Sequence, residues 1–255
     1  MGALTDLDGV TAYRAEPPVP PRGGLVLIHE IWGLVPHIRD VADRYAQEGY
    51  LVIAPDLLSD AGITPEVGAE LDALRHEPDE QKRLAGQALL REKMAPTREP
   101  AFARGAVAKL RRVVDALAAE PGIDGRIAVT GFCFGGTYAF ALAAADSRVR
   151  ASIPFYGVAP DAETVARIAC PVLALYGEDD PRVMATLPET RQNMTDAGVA
   201  FTEKIYPGAQ HAFFNDTNPS SYDEVAAADA WARSLAFLAT HMRPRAYPRT
   251  HDTQP

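Results

Sequence analysis

At 255 residues, 47% apolar and 23% charged, the chain can bury one large core and sits near globular averages, which excludes a disordered polymer. A formal net charge of −9 without a Lys/Arg cluster in the body of the chain repels phosphate backbones, and no apolar run reaches the roughly 20 residues of a bilayer span, so neither nucleic acid nor membrane is an expected partner. The first ten residues carry two aspartates and no basic residue, unlike an export signal, so the expected location is the cytoplasm and Cys133 and Cys170 read as reduced thiols.

In chain order, short apolar runs alternate with segments of helical period, the pattern of an α/β fold whose mostly parallel sheet is covered by helices on both faces. A polar segment, Leu7–Arg14, is expected as an antiparallel edge. Leu25–His29 and Tyr50–Ala54 follow as near-continuous apolar runs, as buried parallel strands should be. Residues 56–100 are long and charged and offer two weak helical patterns without a strand, so they read as a helical excursion. In an open α/β sheet ligands sit beyond the carboxyl ends of the strands, which is where such an excursion can wall a pocket. Phe102, Ala106, Leu110, Val113, Val114 and Leu117 recur at helical spacing. Strands are then expected at Arg126–Thr130, Ala151–Phe155, Val172–Tyr176 and Phe201–Tyr206, with a helix-like stretch at Thr137–Ala145. Val225, Ala228, Trp231, Leu235 and Leu238 form the last helical pattern, and Ser221 stands three residues before Glu224 in the spacing of a capping box. The domain is expected to span 1–242, and the Pro-rich basic run 243–255 to be a flexible tail.

The strongest local signal is Gly131-Phe132-Cys133-Phe134-Gly135-Gly136, between an apolar strand and a helix-like segment. It fits a nucleophile elbow, G-x-[nucleophile]-x-G, with cysteine in the central place. A sharp strand-to-helix turn strains the central residue, and the flanking glycines leave room for close chain approach. The following helix start favours a thiolate. A buried cysteine in a Gly-rich turn is the plainer alternative. Cys170, which precedes Pro171 at a strand start, reads as core.

On this scaffold the acid and then the base follow the nucleophile in sequence, each on a loop after a later strand. Gly177-Glu178-Asp179-Asp180-Pro181 and Pro207-Gly208-Ala209-Gln210-His211 fall in those places. His211 can take the thiol proton, and an aspartate can orient its ring; from the residues alone either Asp179 or Asp180 qualifies. His29 ends a strand beside the pocket but precedes the nucleophile, and is expected to be structural.

These segments, together with His29-Glu30-Ile31-Trp32-Gly33-Leu34, Ala54-Pro55-Asp56-Leu57, Tyr156-Gly157 and His211-Ala212-Phe213, resemble the dienelactone hydrolase family of α/β-hydrolases. The resemblance implies cofactor-free and metal-free hydrolysis of a small ester or lactone through a thioester on Cys133. Its Gly-x-x-Asp spacing selects Asp180, whose backbone Pro181 also restricts. It gives Glu30 a part in controlling when the cysteine ionises, puts the oxyanion hole at the amides of Ile31 and Phe134, and places Trp32 at the substrate. One departure stands out: Asn215 occupies the place where the best-known members carry an arginine for the substrate carboxylate, so Arg83 or Arg91 of the excursion is the replacement candidate. The rival readings are a broader carboxylesterase or thioesterase and a catalytically silent small-molecule receptor. The presence of Cys133, Asp180 and His211 together argues against silence, and oligomeric state is not legible.

Overall fold

The structure, a computed structural model, describes residues 1–75 and 77–243. Strands β1 (Ala3–Asp6) and β2 (Thr11–Ala15) form a hairpin, followed by β3 (Gly23–Ile28), helix α1 (Pro36–Gln47) and β4 (Tyr50–Pro55). The excursion supplies α2 (Pro65–Arg75) and α3 (Glu80–Lys93) before the long α4 (Pro100–Ala119). Next come β5 (Ile127–Phe132), α5 (Phe134–Ala145), β6 (Val149–Phe155), the single turn α6 (Ala162–Val165), β7 (Val172–Asp179), α7 (Pro181–Asp196), β8 (Phe201–Gln210) and α8 (Glu224–His241).

The eight strands form one sheet in the order β1-β2-β4-β3-β5-β6-β7-β8. β1 and β2 are antiparallel to their neighbours, while every pairing from β4 to β8 is parallel. β3, β4 and β5 are buried along their whole length, which explains why they read as unbroken apolar runs. Successive side chains go to opposite faces, and two apolar clusters form accordingly: one holds Leu25, Leu27 and Val52 with α1 and α8, the other Val26, Ile28 and Ile53 with α4 and α5.

Two expectations need correction. The N-terminal edge is not one strand over Leu7–Arg14 but a hairpin whose turn falls at Leu7 to Val10, where those two residues exchange backbone hydrogen bonds of 2.9 and 3.1 Å. Asp8 and Gly9 there adopt φ of 52° and 82°, the left-handed pair a tight hairpin requires. Ser221 does not cap α8; the cap is Asp223, whose carboxylate accepts from Ala226 N at 2.9 Å, and Ser221 turns its hydroxyl toward the Ala212 carbonyl. Helices α1 and α7 are additions to the sequence reading, α7 carrying Pro188 inside it. The expected tail lies beyond the described residues from position 244 onward.

The excursion is helical, as its two weak patterns suggest. Asp79 caps α3 by accepting from Gln81 N and Lys82 N. α2 docks on the loop after β3 through Gly68, where any Cβ would collide with the Trp32 carbonyl. That contact ties the excursion to the carboxyl end of the sheet.

Candidate active site

β5 ends at Phe132 and α5 starts at Phe134, so Cys133 alone makes the turn, with φ 56° and ψ −112°. A non-glycine residue held there costs on the order of 1–3 kcal/mol and persists only if its surroundings fix it. The surroundings are visible: Cys133 N donates to the Phe155 carbonyl at 3.0 Å, and the Cys133 carbonyl accepts from Thr137 N at 3.2 Å. Gly135 lies against the end of β3, where a Cβ would stand 2.6 Å from the His29 oxygen. The turn is thereby clamped onto the segment that carries Glu30 and Ile31.

His211 follows the last residue of β8, and its Nε2 lies 3.1 Å from Cys133 Sγ. Its Nδ1 lies 2.5 Å from Asp180 Oδ2. Asp180 is buried at the N-terminus of α7, where its other oxygen accepts from Val183 N at 3.3 Å. Asp179 is exposed and pairs along the backbone with Gln210. Of the two adjacent carboxylates, only that of Asp180 is hydrogen-bonded to the ring. Burial works against a charged His211, but the hydrogen bonds and charges of Asp180 and Cys133 outweigh it and push the imidazolium up to about 10. Burial likewise opposes ionisation of Asp180, and the hydrogen bond and charge of His211 reverse this, holding its carboxyl below the usual 3.8. Cys170 is buried in the core, which pushes its thiol up to about 12.

Glu30 is buried, yet it contributes to the cavity beside Cys133. Its carboxylate accepts from Tyr156 Oη at 3.3 Å and from Asn215 Nδ2 at 2.7 Å. No hydrogen bond joins it to Cys133 among the described residues. His29 is fully buried and structural in its contacts: its Nε2 accepts from Leu57 N at 3.1 Å, leaving Nδ1 to donate to the Glu30 carbonyl at 2.7 Å. Burial lowers its pKa and keeps it neutral. The amides of Ile31 and Phe134 donate to no protein acceptor among the described residues, and both residues line the cavity with Cys133.

The cavity measures about 680 Å³, within the range of small-molecule sites. Trp32 and Tyr138 form parts of its body side. Leu90, Arg91, Met94, Thr97 and Arg98 close it from the excursion, and Arg182 reaches it from the start of α7. Two positions considered for the substrate, Arg83 and Asn215, do not line the cavity. Arg83 spends its guanidinium on the carbonyls of Glu77 and Pro78 and does not line the cavity. Asn215 is buried behind Glu30 and does not line it either. The sequence reading passed over Arg98 and Arg182 and gave Tyr156, quoted only for the resemblance, no role, although it follows β6 at the same sheet edge as the other site residues. Among the described residues no three His, Cys, Asp or Glu side chains gather as a metal site, and no helix is long and apolar enough to cross a membrane.

Comparison with known proteins identifies the family and the fold. The sequence model of the dienelactone hydrolase family matches residues 10–242. A Saccharolobus solfataricus protein named "putative carboxymethylenebutenolidase" is 34% identical over 250 residues, covering 91% of this chain and 95% of its own. An Escherichia coli protein of the same name is 31% identical over 247 residues, covering 91% and 82%. A crystal structure from Klebsiella pneumoniae described as a "putative dienelactone hydrolase" superposes with a TM-score of 0.77 at 29% identity, covering 94% of this chain and 98% of that one. The chain therefore belongs to the dienelactone hydrolase family and is a carboxylic ester hydrolase of the α/β-hydrolase fold.

Proposed function

We propose that the enzyme cleaves a small ester or lactone through a Cys133-His211-Asp180 triad and a thioester intermediate. The observation that carries this reading is the unbroken chain from Sγ through the imidazole to a buried carboxylate, with distances of 3.1 and 2.5 Å, opening on a cavity. The Cys133 thiolate attacks the carbonyl carbon, and the amides of Ile31 and Phe134 receive the oxyanion, each such donor contributing about 3 kcal/mol to the transition state. The tetrahedral centre collapses by breaking the C–O bond, and the imidazolium of His211 gives its proton to the leaving oxygen. Water then attacks the thioester while His211 takes its proton; the C–S bond breaks and the thiolate returns. Asp180 holds the ring in the tautomer that both halves require. A carboxylate on the substrate would meet Arg91, Arg98 or Arg182, because Asn215 cannot reach it.

The test is turnover of p-nitrophenyl acetate with a rapid acid quench and mass analysis of the cysteine peptides. Acetyl on Cys133 is expected, with Cys133→Ala folded and inactive. Cys170→Ala should keep most activity, since its thiol is buried and held protonated. Acetyl on Cys170, or turnover by Cys133→Ala, would overturn the assignment.

A further inference from the structure

Part of the cavity beside Cys133 lies between the first two turns of α4 and of α5, in space that the reacting groups do not need. Ala103 and Val107 share one face of α4, Tyr138 and Ala141 share one face of α5, and these residues all line the cavity. Leu90 of α3 and Met94, which ends that helix, cover them from the excursion. The resulting limb is apolar. The Thr137 hydroxyl oxygen accepts from Val158 N at 3.1 Å, and burial pushes the Tyr138 phenol up, so that it stays neutral. The floor is firm, because the Tyr138 ring packs 4.6 Å from that of Phe134 and edge-on at 6.5 Å from that of Phe102. Positions 103 and 141 present only methyl groups, which leaves the space between the helices open.

Sheet order decides which half of an ester enters this limb. Cys133 follows β5, with β3 and β4 on one side of that strand and β6, β7 and β8 on the other. α4 packs against β3, β4 and β5, so the limb lies on the β3 side of the nucleophile. His211 follows β8 and Arg182 lies at the start of α7, both on the opposite side. The leaving oxygen must come within hydrogen-bond reach of His211 to receive its proton, so the leaving group points toward β8 and the acyl group away from it. We propose that the limb between α4 and α5 is an acyl pocket and that the substrates are esters of unbranched apolar acids of medium length. This rests on the nucleophile assignment above, since the acyl group is the half that stays on Cys133 when the alcohol departs. The wall from Phe134 to Ala141 rises about 12 Å, and helical side chains lean back toward the N-terminus, which leaves about 9 Å of usable limb. An extended chain advances about 1.2 Å per bond, so an acyl group of about six to eight carbons fills it.

The experiment uses the full-length protein with two isomeric esters, ethyl octanoate and octyl acetate, followed by pH-stat titration, and with p-nitrophenyl esters from acetate to dodecanoate. The isomers contain the same atoms, but only ethyl octanoate carries its long chain on the acyl side, and its kcat/KM should be higher by about tenfold or more. Complete burial of one methylene favours binding about fourfold, and walls that are partly half-buried should give about twofold. The octanoate-to-acetate ratio of kcat/KM for the p-nitrophenyl esters should therefore be on the order of fifty, with the gain levelling off beyond about eight carbons. Ala141→Phe fills the limb and should lower that ratio about tenfold or more. Val107→Trp blocks the same space from α4 and covers the case where Ala141→Phe does not fold. A preference for octyl acetate, or a ratio that is unchanged in the folded blocking variants, overturns the acyl pocket. Turnover of ethyl octanoate by Cys133→Ala would instead overturn the nucleophile assignment, so the two failures are distinguishable.

Discussion

Replacing Asp180 by asparagine changes one atom and separates two jobs that the side chain performs. Its Oδ1 caps α7 through Val183 N, while Oδ2 holds His211 Nδ1 at 2.5 Å. Asparagine caps a helix about as well as aspartate, so its remaining oxygen can keep the Val183 contact. The amide nitrogen then faces Nδ1 and donates to it. Nδ1 must become an acceptor, the ring proton moves to Nε2, and a neutral His211 can no longer take a proton from Cys133. In serine triads the same exchange costs about 10⁴ in kcat, which at about 1.36 kcal/mol per decade is roughly 5.4 kcal/mol of transition-state stabilisation. The cap should change stability by about 1 kcal/mol or less, a shift of about 2–4 °C in Tm for a chain of this size. The assay is therefore paired: kcat on p-nitrophenyl acetate and Tm for Asp180→Asn and Asp179→Asn. Asp180→Asn should be folded with kcat lowered by three to four decades, on the order of the triad precedent. Asp179, an exposed carboxylate, should be replaceable with little effect on either quantity. An inactive Asp179→Asn beside an active Asp180→Asn would refute the reasoning, and so would an Asp180→Asn within tenfold of the parent.

Gly135→Ala should destabilise the fold by about 3 kcal/mol or yield insoluble protein, since the new methyl must displace the backbone of β3; a soluble variant with parental Tm would show that the elbow can relax. The triad should also give stability a characteristic pH dependence. His211 has its folded value raised to about 10 from 6.5, so its contribution is complete below about pH 6.5 and is lost as pH rises toward 10. Asp180 has its value lowered from 3.8, so its contribution is complete above about pH 4 and is lost as pH falls through the folded value. Urea unfolding of the parent and His211→Gln should therefore differ more at pH 5 than at pH 9, and equal differences would contradict the raised histidine.

Legibility in the sequence followed the range of the interaction involved. β3, β4 and β5 announce themselves because burial on both faces demands an unbroken apolar run. Cys133 is conspicuous because the strain of its turn demands glycines nearby in sequence, and His211 because it follows a strand. The hairpin turn at Asp8-Gly9 was also local, but its flanking strands are only 4 and 5 residues long and lack clear alternation. α1 hides its buried Ile38, Val41, Ala42 and Tyr45 among charged neighbours, and α7 is interrupted in pattern by Pro188. The part of Asn215 was out of reach: its partner Glu30 is 185 positions away, and an asparagine beside a turn has many plainer uses. The arginines of the cavity are similar, since only folding brings Arg98 and Arg182 to the same space while sending Arg83 to local carbonyls.

Helix α3 of the excursion touches substrate space but holds up little of the protein. α3 buries only Gly86 completely, and its other positions are exposed or half-buried. Residues that close the cavity, such as Leu90, Arg91 and Met94, can therefore be exchanged with small thermodynamic consequence, because substitutions away from the core usually change stability by about 0.5 kcal/mol or less. The reacting groups sit instead at the ends of buried strands, where almost any exchange is costly. A lineage carrying this architecture can explore new acyl and leaving groups by drift in one helix, with the bond-breaking apparatus shielded from the same mutations. Selection in the laboratory for altered ester preference would find its permissive positions in that helix.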